Sequence, residues 1–295
     1  MTGKLLVTGA SGQLGAAVMH HLLDSYKVPA SSIIAGSRDP AKLAELAERG
    51  VETRRVDFDD APSLPDSLAG VDRVLIISTD ALDGTDKRLR QHQAAIAGAK
   101  AAGVGHILYT SMPNPNDSLV SFAADHKGTE DAIKASGLGY TIFRNSWYME
   151  NLLMTLPQAI ASGQWYSSAG NGKVAHIARD DVARAIAASL AGAAGENATY
   201  TLTGPAAYTT DEIADLVSTA VGKKLTVVHV NDEQLAQGMA GAGVPAPYIP
   251  AFVSFDANTR EGKINIVSDS ATKLSGSGLT SLKDFLSANK ARLLG

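Results

Sequence analysis

Short apolar runs rich in β-branched residues or leucine recur at 5–8, 32–35, 51–57, 73–78, 106–110 and 140–144, with a helix-like segment between successive runs. This alternation predicts a parallel sheet, because parallel neighbours need crossovers and right-handed crossovers place helices on both faces. The helical segments carry boundary signals: Pro40 near the start of 41–48, Gly50 after it, and Gly103 closing 87–102. Six strands within residues 1–145 predict a doubly wound α/β domain. After Arg144 the rhythm loosens. Gly163, Gly170 and Gly172 break short segments, followed by a helix-like 180–191, a strand-like 199–202 and a helix-like 210–221. Residues 146–295 are therefore expected to form a smaller α+β lobe, partly interwoven with the first domain. Gly238, Gly241, Gly243, Pro245, Pro247 and Pro250 crowd 238–250, which reads as a loop, either shaped beside a site or a plain surface connection.

Composition narrows the classes of function. The chain has 295 residues, enough to bury a sizeable core, and no cysteine, which removes thiol redox chemistry and thiolate metal sites. A formal charge of −4 gives no electrostatic footprint for nucleic acid. No window approaches the roughly 18 apolar residues of a membrane span. The expectation is a soluble, cytoplasmic protein with no nucleic-acid or membrane partner; a homo-oligomer stays open. His20-His21 face different directions on a helix and make no metal site, and Asp180-Asp181 fit the N-terminus of the helix at 180–191. No metal is expected.

The chemistry-bearing motif is Thr8-Gly9-Ala10-Ser11-Gly12-Gln13-Leu14-Gly15, between the first strand and a helix-favouring stretch. Gly9 lets the chain turn off the strand, Gly12 removes a side chain that would block a pyrophosphate, and Gly15 lets the helix pack tightly. Backbone N–H groups around Ser11, Gly12, Gln13 and Leu14, with the positive end of the helix dipole, can hold phosphate without lysine. A second anchor is expected roughly 20 residues past the glycine turn, where an acidic residue commonly holds the adenosine ribose. That place reads Gly36-Ser37-Arg38, and a guanidinium there can pair with a 2′-phosphate, so NADP is favoured over NAD. The other reading of Arg38 is an ordinary solvated charge. Asp57 and Phe58 after the third strand are placed to bracket the adenine, and Ser78 and Thr79 after the fourth to meet phosphate and ribose.

The chain resembles the NmrA-like branch of the atypical short-chain dehydrogenase/reductases, including its bacterial quinone and triphenylmethane-dye reductases. The likeness is carried by TGASGQLG at 8–15, SRDPAKL at 37–43, AAGVGHILYTS at 101–111, DHKGTEDAIKASGLGYTIFRNSWYMENL at 125–152 and GKKLTVVHV at 222–230. The resemblance implies a Rossmann-like domain, a smaller C-terminal lobe, NADPH, and a substrate pocket between them. It also brings out a departure. Such reductases commonly use a Tyr-x-x-x-Lys pair, the tyrosine as proton donor and the lysine on the nicotinamide ribose. Here Phe122 falls at the tyrosine position and His126 at the lysine position.

Phe122 cannot protonate a ketone, so a simple carbonyl would lack its acid. A quinone or other conjugated aromatic electrophile needs less help, because its hydride adduct is delocalised and weakly basic. His126 is then a candidate for the nicotinamide ribose; the other reading is a helix-surface histidine bonded to Glu130. Asn145, with backbone near Arg144, is placed to orient the carboxamide, while Arg144 itself also reads as an ion-pair partner. Trp147 and Tyr148 offer flat surfaces to an aromatic substrate, Tyr148 doubling as an auxiliary acid, with core packing as the alternative. Ser111 lies where a catalytic serine is often found. The expected activity is NADPH-dependent hydride transfer to a quinone-like acceptor. Two alternatives stay open: a non-catalytic NADP(H)-binding redox sensor, and a carbonyl or imine reductase with a displaced acid.

Overall fold

The computed structural model describes residues 3–81 and 85–295. Among the described residues nine strands run in order: β1 (Lys4–Val7), β2 (Ile33–Ser37), β3 (Glu52–Arg55), β4 (Val71–Ile76), β5 (His106–Ser111), β6 (Gly139–Asn145), β7 (Gln164–Ser167), β8 (Ala198–Leu202) and β9 (Thr226–His229). The helices of the first half are α1 (Gln13–His20), α2 (Ala44–Glu48), α3 (Leu64–Ser67), α4 (Lys87–Ala101) and α5 (Ala123–Ala135). The second half adds α6 (Met149–Ser162), α7 (Arg179–Ala191), α8 (Thr210–Val221), α9 (Asp232–Gly241) and α10 (Ile249–Arg260). Three short helices close the chain, α11 (Ser270–Ser275), α12 (Leu282–Ala288) and α13 (Lys290–Leu294).

Seven strands form one parallel sheet in the order β3-β2-β1-β4-β5-β6-β8. The chain winds outward from β1 to β3, then restarts beside β1 with β4. That reversal opens the crevice in which ligands of doubly wound sheets bind, beyond the carboxyl ends of the strands. The period-two alternation of β1 feeds both layers: Leu5 and Val7 enter the core that holds Val18 and Met19 of α1 and Ile186 of α7, while Leu6 joins Ile96 of α4 and Ile133 of α5. The sheet is thus a Rossmann-like α/β layer covered on both faces.

The second half is divided between this sheet and a lobe. It supplies β8 to the sheet edge and α7 to the face shared with α1. A third core, with Leu156 of α6, Val217 of α8 and Leu286 of α12, builds the lobe, which carries the separate parallel pair β7-β9.

The glycine- and proline-rich stretch at 238–250 is mostly helical rather than a loop. Gly238 and Gly241 lie inside α9, which Asn231 and Gln234 start with a reciprocal capping box, and Pro250 sits in the first turn of α10. Two satisfied donors at the start of α9 and a preset φ at the start of α10 offset helix-interior glycine costs of about 1 kcal/mol each. Among the described residues no helix is long and apolar enough to cross a membrane, and no group of three His, Asp or Glu side chains could hold a metal ion.

Candidate active site

The glycine turn is shaped by backbone crowding. Gly9 has φ +61°, a left-handed conformation that favours glycine, and its carbonyl accepts from the Gly12 N–H at 2.9 Å. A Cβ on Gly15 would lie 2.2 Å from the Gly9 carbonyl oxygen and 2.9 Å from Ala10 Cα, contacts with backbone that cannot give way. A Cβ on Gly12 would meet only that same oxygen, at 3.2 Å. Gly15 therefore fits helix to strand, and Gly12 keeps the outer face clear. No side chain caps α1, so the N–H groups of Gln13 and Leu14, which have no partner within the helix, face a site for anionic oxygen.

At the end of β2, buried Ser37 accepts from the Asp39 N–H at 3.2 Å and shares a hydrogen bond with Ser11 at 3.0 Å, tying the second anchor to the glycine turn. Arg38 is exposed and makes no ion pair or hydrogen bond among the described residues, while Asp39 turns away to cap the next turn through Ala41 N–H. Asp57 is already engaged: it pairs with Arg55 at 2.7 Å and accepts from the Asp59 N–H. Phe58 packs against the core on the α4 and α5 face.

Hydroxyls lace the carboxyl ends of the central strands together. The Ile77 N–H donates to Thr8 Oγ1 at 3.0 Å, the Ser78 N–H to Thr110 Oγ1 at 2.8 Å, and the Thr79 N–H to His92 Nε2 at 3.1 Å. Several buried polar atoms here have no partner among the described residues: Thr79 Oγ1, Asn145 Oδ1 and Ser146 Oγ. Unsatisfied groups of this kind at the strand ends fit a polar ligand that completes them.

His126 is not on the surface. It is 4% exposed, and its ring joins α4 to β5 rather than to Glu130. Arg88 can only donate, so His126 Nε2 accepts from it at 3.1 Å, leaving Nδ1–H to donate to the Tyr109 hydroxyl at 2.8 Å. The same logic fixes His92: Nε2 accepts from Thr79, so Nδ1–H donates to Thr129 Oγ1 at 2.9 Å, and Thr129 donates to the Asp125 carbonyl at 2.7 Å. Burial, and then the nearby Arg88 charge, holds both imidazoles neutral, His92 down to about 3 and His126 well below the usual histidine range. Lys127, beside His126, points outward to Asp131.

Glu130 serves a different pair. It takes both ends of the Arg144 guanidinium, at 2.9 and 2.7 Å, and accepts from Ser111 Oγ at 2.7 Å. Burial pushes its carboxyl up, but the Arg144 and Ser111 hydrogen bonds and the Arg144 charge outweigh that and hold it low. Arg144 is thereby an ion-pair partner, and Ser111 is occupied as a donor.

Trp147 and Tyr148 part company. Trp147 lies 5.0 Å from Phe255 of α10 by ring centroid, and Phe255 meets Phe122 edge-on at 5.9 Å, so these three rings form one aromatic cluster. Tyr148 packs toward the α1 and α7 core, with the Arg179 guanidinium 4.9 Å over its ring, and its hydroxyl accepts from Asn145 Nδ2 at 3.3 Å. Burial raises the Tyr148 phenol above its ordinary range. Arg88, His92 and Tyr109 were not singled out by sequence; the i, i+4 spacing of Arg88 and His92 on one helix face was the available signal.

Residues 1–286 match the NmrA-like family. The chain belongs to that family. Quinone oxidoreductase 2 of Escherichia coli (strain K12) is 35% identical over 283 residues, covering 96% of this chain and 97% of that protein. An NAD(P)H azoreductase from Xenophilus azovorans is 31% identical, covering 97% and 98%. The crystal structure of Citrobacter sp. triphenylmethane reductase complexed with NADP(H) superposes with a TM-score of 0.90 at 36% identity, covering 97% of this chain and all of that one. Against those NmrA-like relatives, the glycine cradle, free Arg38 and orphaned strand-end oxygens of this chain have the chemistry an NADP nucleotide requires.

Proposed function

We propose that this NADPH-dependent oxidoreductase reduces quinones and related conjugated aromatic acceptors. The observation that carries the substrate class is the lack of an acid where one is usual: Phe122 has no proton to give, and His126 is neutral with both ring nitrogens committed. NADPH, when bound, supplies the hydride. The N–H groups of Gln13 and Leu14 at Gly12 hold its pyrophosphate, Ser11, Ser37 and Arg38 its 2′-phosphate, Asp57 and Phe58 border the adenine, and Ser78 and Thr79 border the phosphate and ribose. Asn145 Oδ1, buried and unpaired, accepts from the carboxamide. His126 acts on the nicotinamide side by fixing its neighbours rather than by moving a proton.

Residues 1–145 form the nucleotide platform, and 146–295 close the acceptor side through Trp147 and Phe255, which stack a flat ring and exclude water. Tyr148 is the remaining phenol near Asn145, and its raised pKa keeps its proton in place at neutral pH. The relatives named for quinone, azo and triphenylmethane chemistry support an aromatic acceptor.

NADPH oxidation measured against p-benzoquinone, an azo dye and a simple ketone tests this reading. Turnover is expected with the conjugated acceptors and not the ketone. Tight NADPH binding without turnover of any acceptor would instead favour the redox-sensor alternative.

A further inference from the structure

Two arginines each hydrogen-bond a side chain of α5, Arg88 to His126 and Arg144 to Glu130, and differ in their counter-charge. Arg144 is neutralised by Glu130 through two hydrogen bonds. Arg88 is 5% exposed and has no carboxylate within ion-pair distance among the described residues; it donates once to His126, and its Nε is buried with no partner. Asp125 and Asp80 reach it only as longer-range charges. Its guanidinium lies 4.8 Å from the centroid of Phe122, at the edge of the aromatic cluster, and a second buried donor without an acceptor, Trp147 Nε1, belongs to that cluster. A buried cation without its anion is costly, and two orphaned donors around one set of rings call for a flat ligand that brings oxygen.

We infer that Arg88 is the oxyanion group of the acceptor site, holding the oxygen that becomes negative when a quinone is reduced. The inference rests on the quinone reading above and adds to it a charge preference. Quinone plus hydride gives the hydroquinone monoanion: the hydride, released from the C–H bond that breaks as NADPH becomes NADP⁺, bonds to one quinone oxygen, the ring π electrons shift to make the ring aromatic, the pair of the far C=O π bond settles on its oxygen as phenolate, and water then supplies one proton. Arg88 meets that developing charge in a water-poor site, where a fixed donor is most effective. His126, accepting at Nε2 only as the neutral imidazole, is the positioning residue that aims the guanidinium. The same cation disfavours acceptors that arrive positively charged, so this site selects neutral quinones over cationic triphenylmethane dyes.

The test uses Arg88→Met and Arg88→Lys in the full chain. Met removes a buried unpaired charge but also leaves His126 Nε2 without its donor, so Arg88→Met is expected to fold with a modest loss of stability that Arg88→Lys, which keeps a donor, largely restores, checked by thermal melting and NADPH affinity. In the NADP⁺ complex, 4-nitrophenol titrated by its phenolate absorbance should bind the unmodified protein at least about tenfold more tightly as phenolate than as phenol. That preference should vanish in Arg88→Met and persist in part in Arg88→Lys. Reduction of p-benzoquinone should fall about 10- to 100-fold in Arg88→Met, with reduction of a cationic triphenylmethane dye unchanged or faster. An unaltered phenolate preference, or an equal loss with quinone and dye, would overturn the assignment. If the unmodified protein reduces no quinone, the functional reading fails, while the nitrophenol titration still decides what Arg88 binds.

Discussion

At the glycine turn the ligand-facing surface is backbone, contributed by one continuous stretch, and its geometry is set by how closely Gly15 approaches the Gly9 carbonyl. At the aromatic cluster of Phe122, Trp147 and Phe255 the surface is side chain, assembled from α4, α5, the turn after β6 and α10, and its character is set by burial and protonation. The first surface fails when atoms are added; the second fails when a charge or a proton is moved. A nucleotide common to many enzymes can be held by the first kind of surface, whereas the choice of acceptor needs the second.

The sharpest break of this contrast is Gly15→Ala. Its Cβ has only backbone to displace, so destabilisation of about 3 kcal/mol is expected in urea unfolding. Gly12→Ala, with a single 3.2 Å contact, should leave the fold near normal and weaken NADPH binding instead. Equal stability losses in the two variants would remove the distinction between a packing glycine and a clearance glycine.

Next in size is Arg38→Ala. Loss of one charge-assisted contact should cost about 1.5–3 kcal/mol of NADPH affinity and leave NADH binding nearly unchanged, read by fluorescence titration. Equal weakening of both nucleotides would make Arg38 a structural residue.

The buried imidazoles should reveal themselves through acid. His92 has a folded-state pKa of about 3 against an ordinary 6.5, so the unfolded chain binds the extra proton first as pH falls. Its contribution is fully present above pH 6.5 and declines through the window down to about 3, amounting to about 2 kcal/mol lost between pH 7 and 5. His126, also depressed, acts in the same direction. Urea midpoints should therefore fall on acidification, and His92→Asn should flatten that slope. An unchanged slope would remove the case for a neutral buried imidazole.

The smallest expected effect is at Trp147. Trp147→Leu should raise KM for aromatic acceptors by a few-fold, about 1 kcal/mol of stacking, with NADPH affinity intact. A matched loss of NADPH binding would place the ring on the nucleotide instead.

The legibility of the chain follows the same division. Strand runs and the 8–15 turn were readable because their determinants are local: period, β-branching and glycine spacing. Gly238 and Gly241 misled because a capping box and the packing of a lobe outweighed residue propensity. The partner that the other reading gave His126, Glu130, proved to belong to Arg144 and Ser111. The links Arg88–His126 and Tyr109–His126 join different elements across 38 and 17 residues, and no local pattern encodes such pairings. Trp147 and Tyr148 are adjacent in sequence yet pack into separate clusters, a consequence of the extended turn into α6.

The central claim is that acceptor reduction proceeds without a proton donated by the protein. Stopped-flow single turnovers of the NADPH complex with p-benzoquinone, followed from pH 6 to 9 in water and in deuterium oxide, test it most directly. The expected result is a flat pH profile, a solvent isotope effect near unity and a clear primary effect with deuterated NADPH. A rate that follows a single ionisation, joined to a large solvent isotope effect that Tyr148→Phe abolishes, would contradict the account and make Tyr148 the acid.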